Sequence, residues 1–216
     1  MRVSEAADAL QVNDRRVRQL IERGDLRAQR FGRQWMVRRD DVSNLRASTR
    51  VAGHPFSPAN AWGVLALAEG RRPSWLSESE RKRLAGILAE RGIRALMPLL
   101  RRRAERETWF VHQSLLGRLM DDSRTVRTGA SAAESLISAD TLEVYVPSIV
   151  SSDVAAEYYA DTASWDGNVL VRVIDGPWPF VPGEDSVGPV VAALDLLDQP
   201  GDDRRVRIAE ELLSHA

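Results

Sequence analysis

Residues 13–35 read NDRRVRQLIERGDLRAQRFGRQW. Seven of these 23 are arginine, yet Val17, Leu20 and Ile21 keep the three-and-four spacing that lays them on one face of a helix. Asn13 stands where a helix needs a cap, and Gly24 where a left-handed residue ends one. Past Gly24, the runs LRAQR and QWMV flank FGR, which is a hairpin signal. On the N-terminal side, VSEAADALQV places Ala6, Ala7 and Leu10 on one helical face, with Ser4 as the expected N-cap. A short break at Gln11–Val12 separates the two helices. On the C-terminal side, Asp40 or Asp41 caps a last short helix, DDVSNLRAS.

Helix, tight turn, helix, hairpin and helix within 50 residues outline a winged helix-turn-helix. In that arrangement the second helix enters the major groove of DNA with its first turns against the bases. Once Val17, Leu20 and Ile21 are assigned to the interior, Asp14, Arg15, Arg16, Arg18, Gln19 and Glu22 face outward. Arginine forks onto guanine and glutamine pairs with adenine, so Arg15, Arg16, Arg18 and Gln19 are the base-reading candidates. Asn13 and the helix N-terminus suit a phosphate. The hairpin tip adds Arg30, Arg33 and Gln34 on the backbone or in the minor groove, and Trp35 is expected to pack the wing onto the helices.

The stretch VSEAADALQVNDRRVRQLIERGDLRAQRFGRQWMVRRDDV resembles the excisionase-type, MerR-related helix-turn-helix. The resemblance runs through Ser4, Val17, Leu20, Ile21, Gly24, Leu26, Arg30, Gly32, Arg33, Trp35, Asp41 and Val42. It implies a DNA-binding domain over residues 1–50. MerR regulators continue into a long dimerising helix; here the chain breaks at Gly53–Pro58 instead, and no heptads follow.

Charge is distributed unevenly along the 216 residues: +5 over residues 1–50, +6 over 51–106 and −12 over 107–216, for a net −1. The asymmetry suggests a nucleic-acid-facing front and a back with another task. There are 29 arginines and one lysine, Lys82, so arginine excess alone carries little information. With no cysteine, disulfides and zinc fingers are excluded, and His54, His112 and His215 have no metal-site spacing. No cofactor or metal is expected. No 18-residue apolar run and no secretory leader is apparent, so a cytoplasmic location is expected.

Residues 47–59 gather Ser, Gly and Pro and read as a linker. A basic helical unit over 57–106 follows. It contains an apolar helix from Pro58 to Glu69, a capping box at Ser77–Glu80 opening a helix to Gly92, and a further helix over 95–106 carrying Arg101–Arg103. Its arginines from Arg81 to Arg106 are candidates to extend a footprint on DNA phosphates. Residues 107–216 read as an acidic α+β domain with strands at LEVYVPSIV and NVLVRVI, a Pro/Gly-rich loop, a turn at Pro200–Gly201 and a closing amphipathic helix through Ile208, Leu212 and Leu213. Residues 57–216 are alternatively a single domain. The fold class is α+β.

SPANAWGVLAL, RTGASAA, LEVYVPS, GNVLVRVI and VVAALDLLDQPGDDRRVRIAEELL together resemble AbiEi-like antitoxins, the partners of AbiEii-type nucleotidyltransferase toxins. That resemblance implies an autorepressor of a two-gene toxin–antitoxin module. Its partners would be its own operator, bound as a dimer in one arrangement, and a toxin encoded nearby. A stand-alone excisionase- or MerR-like regulator with a ligand-binding or dimerising C-terminal domain is the alternative. A metal-dependent nucleic-acid enzyme would have to use Asp195, Asp198, Asp202 and Asp203; Asp202–Arg205 reads instead as a solvated helix cap neutralised by Arg204 and Arg205. TGASAA lacks the lysine of a phosphate-binding loop, and Ser131 has no catalytic context. A non-enzymatic protein is expected.

Overall fold

The computed structural model describes residues 1–22, 26, 28–32, 34–39, 41–43, 45, 54–132, 141–164, 166–198 and 203–215. Gly24, Arg33, Asp40, Pro200, Gly201, Asp202 and residues 47–53 of the linker lie outside them. The chain divides into two compact units, Met1–Gly53 with Asp198–Asp202, and His54–Leu197 with Asp203–Ala216. The mixed helix and strand content is that of an α+β protein.

In the first unit α1 (Val3–Leu10) and α2 (Asp14–Glu22) are joined by a turn in which Gln11 is left-handed, φ 57°. The turn closes through Val12 N–H to Ala7 C=O at 3.0 Å. Ser4 does not cap α1 as its position suggested: the helix begins one residue earlier, and the Glu5 carboxylate accepts from Arg2 N–H at 3.0 Å. β1 (Ala28–Phe31) and β2 (Gln34–Val37) pair antiparallel, with Arg30 opposite Trp35, around Gly32 at φ 61°. Only a residue that tolerates the left-handed region makes that tight a return. Val3, Ala6, Ala7, Val17, Leu20, Leu26, Val37 and Val42 form the core, with Trp35 packed against it.

The second unit carries a four-stranded sheet in the order β3 (Glu105–Trp109), β6 (Val169–Ile174), β5 (Leu142–Pro147), β4 (Val126–Arg127). The central β5 and β6 run parallel and each outer strand is antiparallel to its neighbour. Because side chains alternate along a strand, the two faces differ. One carries Val144, Val146, Val169, Val171 and Val173, packed on Leu119 of α5 (Gln113–Met120) and on Val154 of α7 (Ser148–Glu157) with Tyr158 beyond its end. The other carries Glu143, Tyr145, Arg172 and Ile174. Tyr145 and Ile174 join a core with α3 (Pro58–Ala68), α4 (Glu78–Leu96) and α8 (Pro189–Leu197). Residues 58–106 therefore share one core with the C-terminal stretch: Trp62 lies edge-on to Tyr145 at 5.1 Å and to Phe180 at 5.3 Å. The chain closes with α9 (Asp203–Ser214), which follows α8 and buries Ile208 and Ala209 beside Ala193, Leu196 and Ala130 of the short α6 (Gly129–Ala132).

Three sequence expectations are corrected here. The helix expected over 95–106 is absent: Gly92 (φ 71°) interrupts α4, Pro98 sits in a single 3₁₀ turn, and Glu105–Trp109 is a strand. Leu96 is buried from the last turn of α4, and Leu99 and Leu100 from the turn that follows. LEVYVPSIV is a strand only as far as Pro147; Ser148 onward is α7, because the proline limits the strand and leads into a helix. Finally, Arg103 is not on a solvated basic face. It is buried with Arg172 around a single carboxylate, Asp195.

Candidate nucleic-acid interface

α2 presents the arginines. Asn13 Oδ1 accepts from Arg16 N–H at 2.9 Å, capping the helix and leaving the asparagine amide group to donate outward. Val17 and Leu20 are buried, which turns Arg15, Arg16 and Arg18 to solvent. Gln19 is half-buried, and Arg16 Nη1 reaches its Oε1 at 3.5 Å. At 100° per residue, Arg15 and Gln19 straddle the outermost line of the helix. Arg16 and Arg18 flank it on opposite sides, about 160° apart. Arg15 and Gln19 therefore lie along the centre of the outward face, with Arg16 and Arg18 to either side.

In the wing Arg30 is exposed, with its guanidinium 6.0 Å from the centre of the Trp35 ring. Trp35 is half-buried, so the ring both packs the hairpin onto the helices and stiffens the arginine above it. Gln34 is exposed at the start of β2; Arg33 is outside the described residues. The structure thus brings Asn13, Arg15, Arg16, Arg18 and Gln19 onto one short helix, and Arg30 and Gln34 onto the hairpin. Sequence reasoning did not single out Phe31, 58% exposed at the end of β1, or Arg2 and Arg39, both exposed. An aromatic residue beside the glycine of a basic hairpin was the available signal for Phe31.

The carboxylates considered for metal chemistry are arranged otherwise. Asp195 is fully buried: Oδ1 takes Arg103 Nη2 and the Tyr145 hydroxyl (3.0 Å) and lies 3.0 Å from Arg172 Nε, while Oδ2 accepts from Thr128. Arg172 Nη1 also meets Glu143 Oε2 at 3.3 Å, whose Oε1 is 2.8 Å from Arg205 Nη2. Arg205 is therefore engaged with Glu143. Burial and the Asp195 charge together push the Tyr145 hydroxyl far above its ordinary pKa, fixing it as a donor. Ser131 Oγ accepts from Glu143 N–H at 2.9 Å and lies in the interior. Among the described residues no group of His, Asp and Glu is placed to hold a metal ion, and no helix is long and apolar enough to cross a membrane.

The outward helix, its cap and the wing are the parts of one known domain. Residues 1–50 match the family model of the helix-turn-helix domain. The match takes in both helices and the hairpin of the first unit and stops before α3. No curated protein and no solved structure matches the chain. Residues 1–50 thus form an N-terminal helix-turn-helix domain, which suggests a DNA-binding regulator.

Proposed function

We propose that this protein is a transcriptional autorepressor that acts as the antitoxin of a two-gene toxin–antitoxin module. The observation that carries the DNA-binding part is the array of exposed arginines on a capped helix whose opposite face is locked into a core. The antitoxin part is supported by the resemblance of residues 57–213 to AbiEi-like antitoxins and by the −12 charge of residues 107–216, which suits a protein partner with a cationic surface. We read the protein as non-enzymatic: a carboxylate held by two arginines, a tyrosine and a threonine is spoken for structurally and is a poor metal ligand. The nucleotidyltransferase-like toxin would be encoded by the adjoining gene.

The test is binding of the full chain to the DNA upstream of its own gene, against scrambled DNA, as salt rises. Preference for the upstream DNA persists at physiological salt, and the double variant Arg15→Ala/Arg16→Ala loses it by roughly 100-fold or more, at about 1–3 kcal/mol per base contact. The far-ultraviolet circular dichroism of that variant stays native. Equal loss of both DNAs with salt in the wild-type chain would mean that the arginines supply charge only.

A further inference from the structure

The outward face of α2 is uneven in its hydrogen-bonding chemistry. Asn13 gives its Oδ1 to Arg16 N–H at 2.9 Å, so its amide NH2 is the group left to face outward. Arg15 and Arg16 are exposed and carry donors alone. Gln19, half-buried beside them, has by residue type both an acceptor and a donor. Its Oε1 is taken by Arg16 Nη1 at 3.5 Å, across one helical turn. Charge fixes the orientation of that amide: beside a guanidinium the oxygen turns to the cation and the NH2 turns away. Along the centre of the helix and its Arg16 side, every polar group that remains open therefore donates. The acceptor left among the side chains of residues 13–19 is the Asp14 carboxylate, which stands a turn before Arg18 on the other side.

Base edges in the major groove sort by the same criterion. Adenine shows an acceptor and a donor, so a glutamine that reads it must use both ends of its amide. Guanine shows two acceptors, N7 and O6, while thymine sets its acceptor beside a methyl group and cytosine shows a donor. A glutamine left with its NH2 alone, one turn from the Arg15 guanidinium, fits guanine. We infer that Arg16 is a positioning residue: it holds Gln19 as a pure donor and sets the centre of α2 to read guanine in place of adenine. The pairing with adenine that glutamine suggests by residue type is thereby reversed. This inference rests on the DNA-binding part of the proposed function.

The experiment is selection of duplexes from a randomised pool by the full chain, followed by affinity measurements on single-base variants of the selected site. The base pair read by Gln19 is the one whose preference disappears in Gln19→Ala. Wild type takes guanine there over adenine by roughly tenfold. Arg16→Ala releases Oε1, and the preference at that pair moves from guanine to adenine. The fold is untouched, because Arg16 is exposed and its backbone N–H keeps the Asn13 cap. Arg16→Lys returns a cation to Oε1 and keeps guanine. An Arg16→Ala chain that binds all sequences more weakly and moves no preference would overturn the inference. So would a wild-type preference for adenine at that pair, or a Gln19→Ala variant that erases none. A pool from which no sequence is enriched would instead overturn the reading of α2 as a base-contacting helix.

Discussion

Arginine meets two opposite fates in the two units. On α2, Arg15, Arg16 and Arg18 are held out in water by a small apolar core behind them; in the second unit, Arg103 and Arg172 lie beneath the sheet, closed over Asp195. The first group is free to exchange water for phosphate and base edges. The second has already exchanged water for carboxylate, and its charge is invisible from outside. A count of arginines along residues 51–106 therefore overstates the cationic surface there. Position within an element, not composition, decides which arginine is a ligand for something else.

That contrast breaks hardest at Asp195. Asp195→Ala leaves two buried guanidinium groups without their common anion, and the second unit loses about 3–5 kcal/mol of stability in denaturant unfolding. The helix-turn-helix transition is expected to stay where it was. A variant that unfolds like wild type would mean that Arg103 and Arg172 are solvated and that the two groups do not differ. A smaller effect is expected at the wing: Arg30→Ala weakens binding to upstream and scrambled DNA alike and lowers the slope of log affinity on log salt by about 1. A loss confined to the upstream DNA would move Arg30 from backbone to base recognition.

The smallest effect sharpens the comparison at the protein surface. Hydrogen bonds from Arg124 hold the Asp122 carboxyl at about 2, below its ordinary value of 3.8. A carboxylate depressed in the folded state adds stability above the unfolded value and loses it as pH falls. Between pH 4 and 2 the wild-type chain therefore sheds a contribution that Asp122→Asn has already lost, and the variant shows the shallower acid-unfolding profile over that window.

The first unit was legible because its signals are local. Val17, Leu20 and Ile21 fix the helix face within five residues, and Arg30, Gly32 and Trp35 fix the hairpin within six. The interior of the second unit was not, because Arg103 meets Asp195 across 92 positions and Arg172 meets Glu143 across 29. No periodicity carries such pairs. The strand at Glu105–Trp109 escaped notice for a related reason: its residues are charged and only Trp109 is fully buried, so its strand character comes from pairing with β6. Ile149 and Val150 were read as strand since β-branched residues favour it, yet Pro147 had already turned the chain into a helix.

Arg205 reaches back from α9 to Glu143, a carboxylate that also fills the only space a side chain at Gly129 could occupy. Glu143 is thus wedged from one side by a glycine that cannot be replaced and secured from the other by the last helix. Removing α9 would withdraw the cation and uncover Ala130, Ala193 and Leu196 together. The same lesion that strands a charge also strips a patch of core, so charge pairing and apolar packing in the second unit both depend on α9.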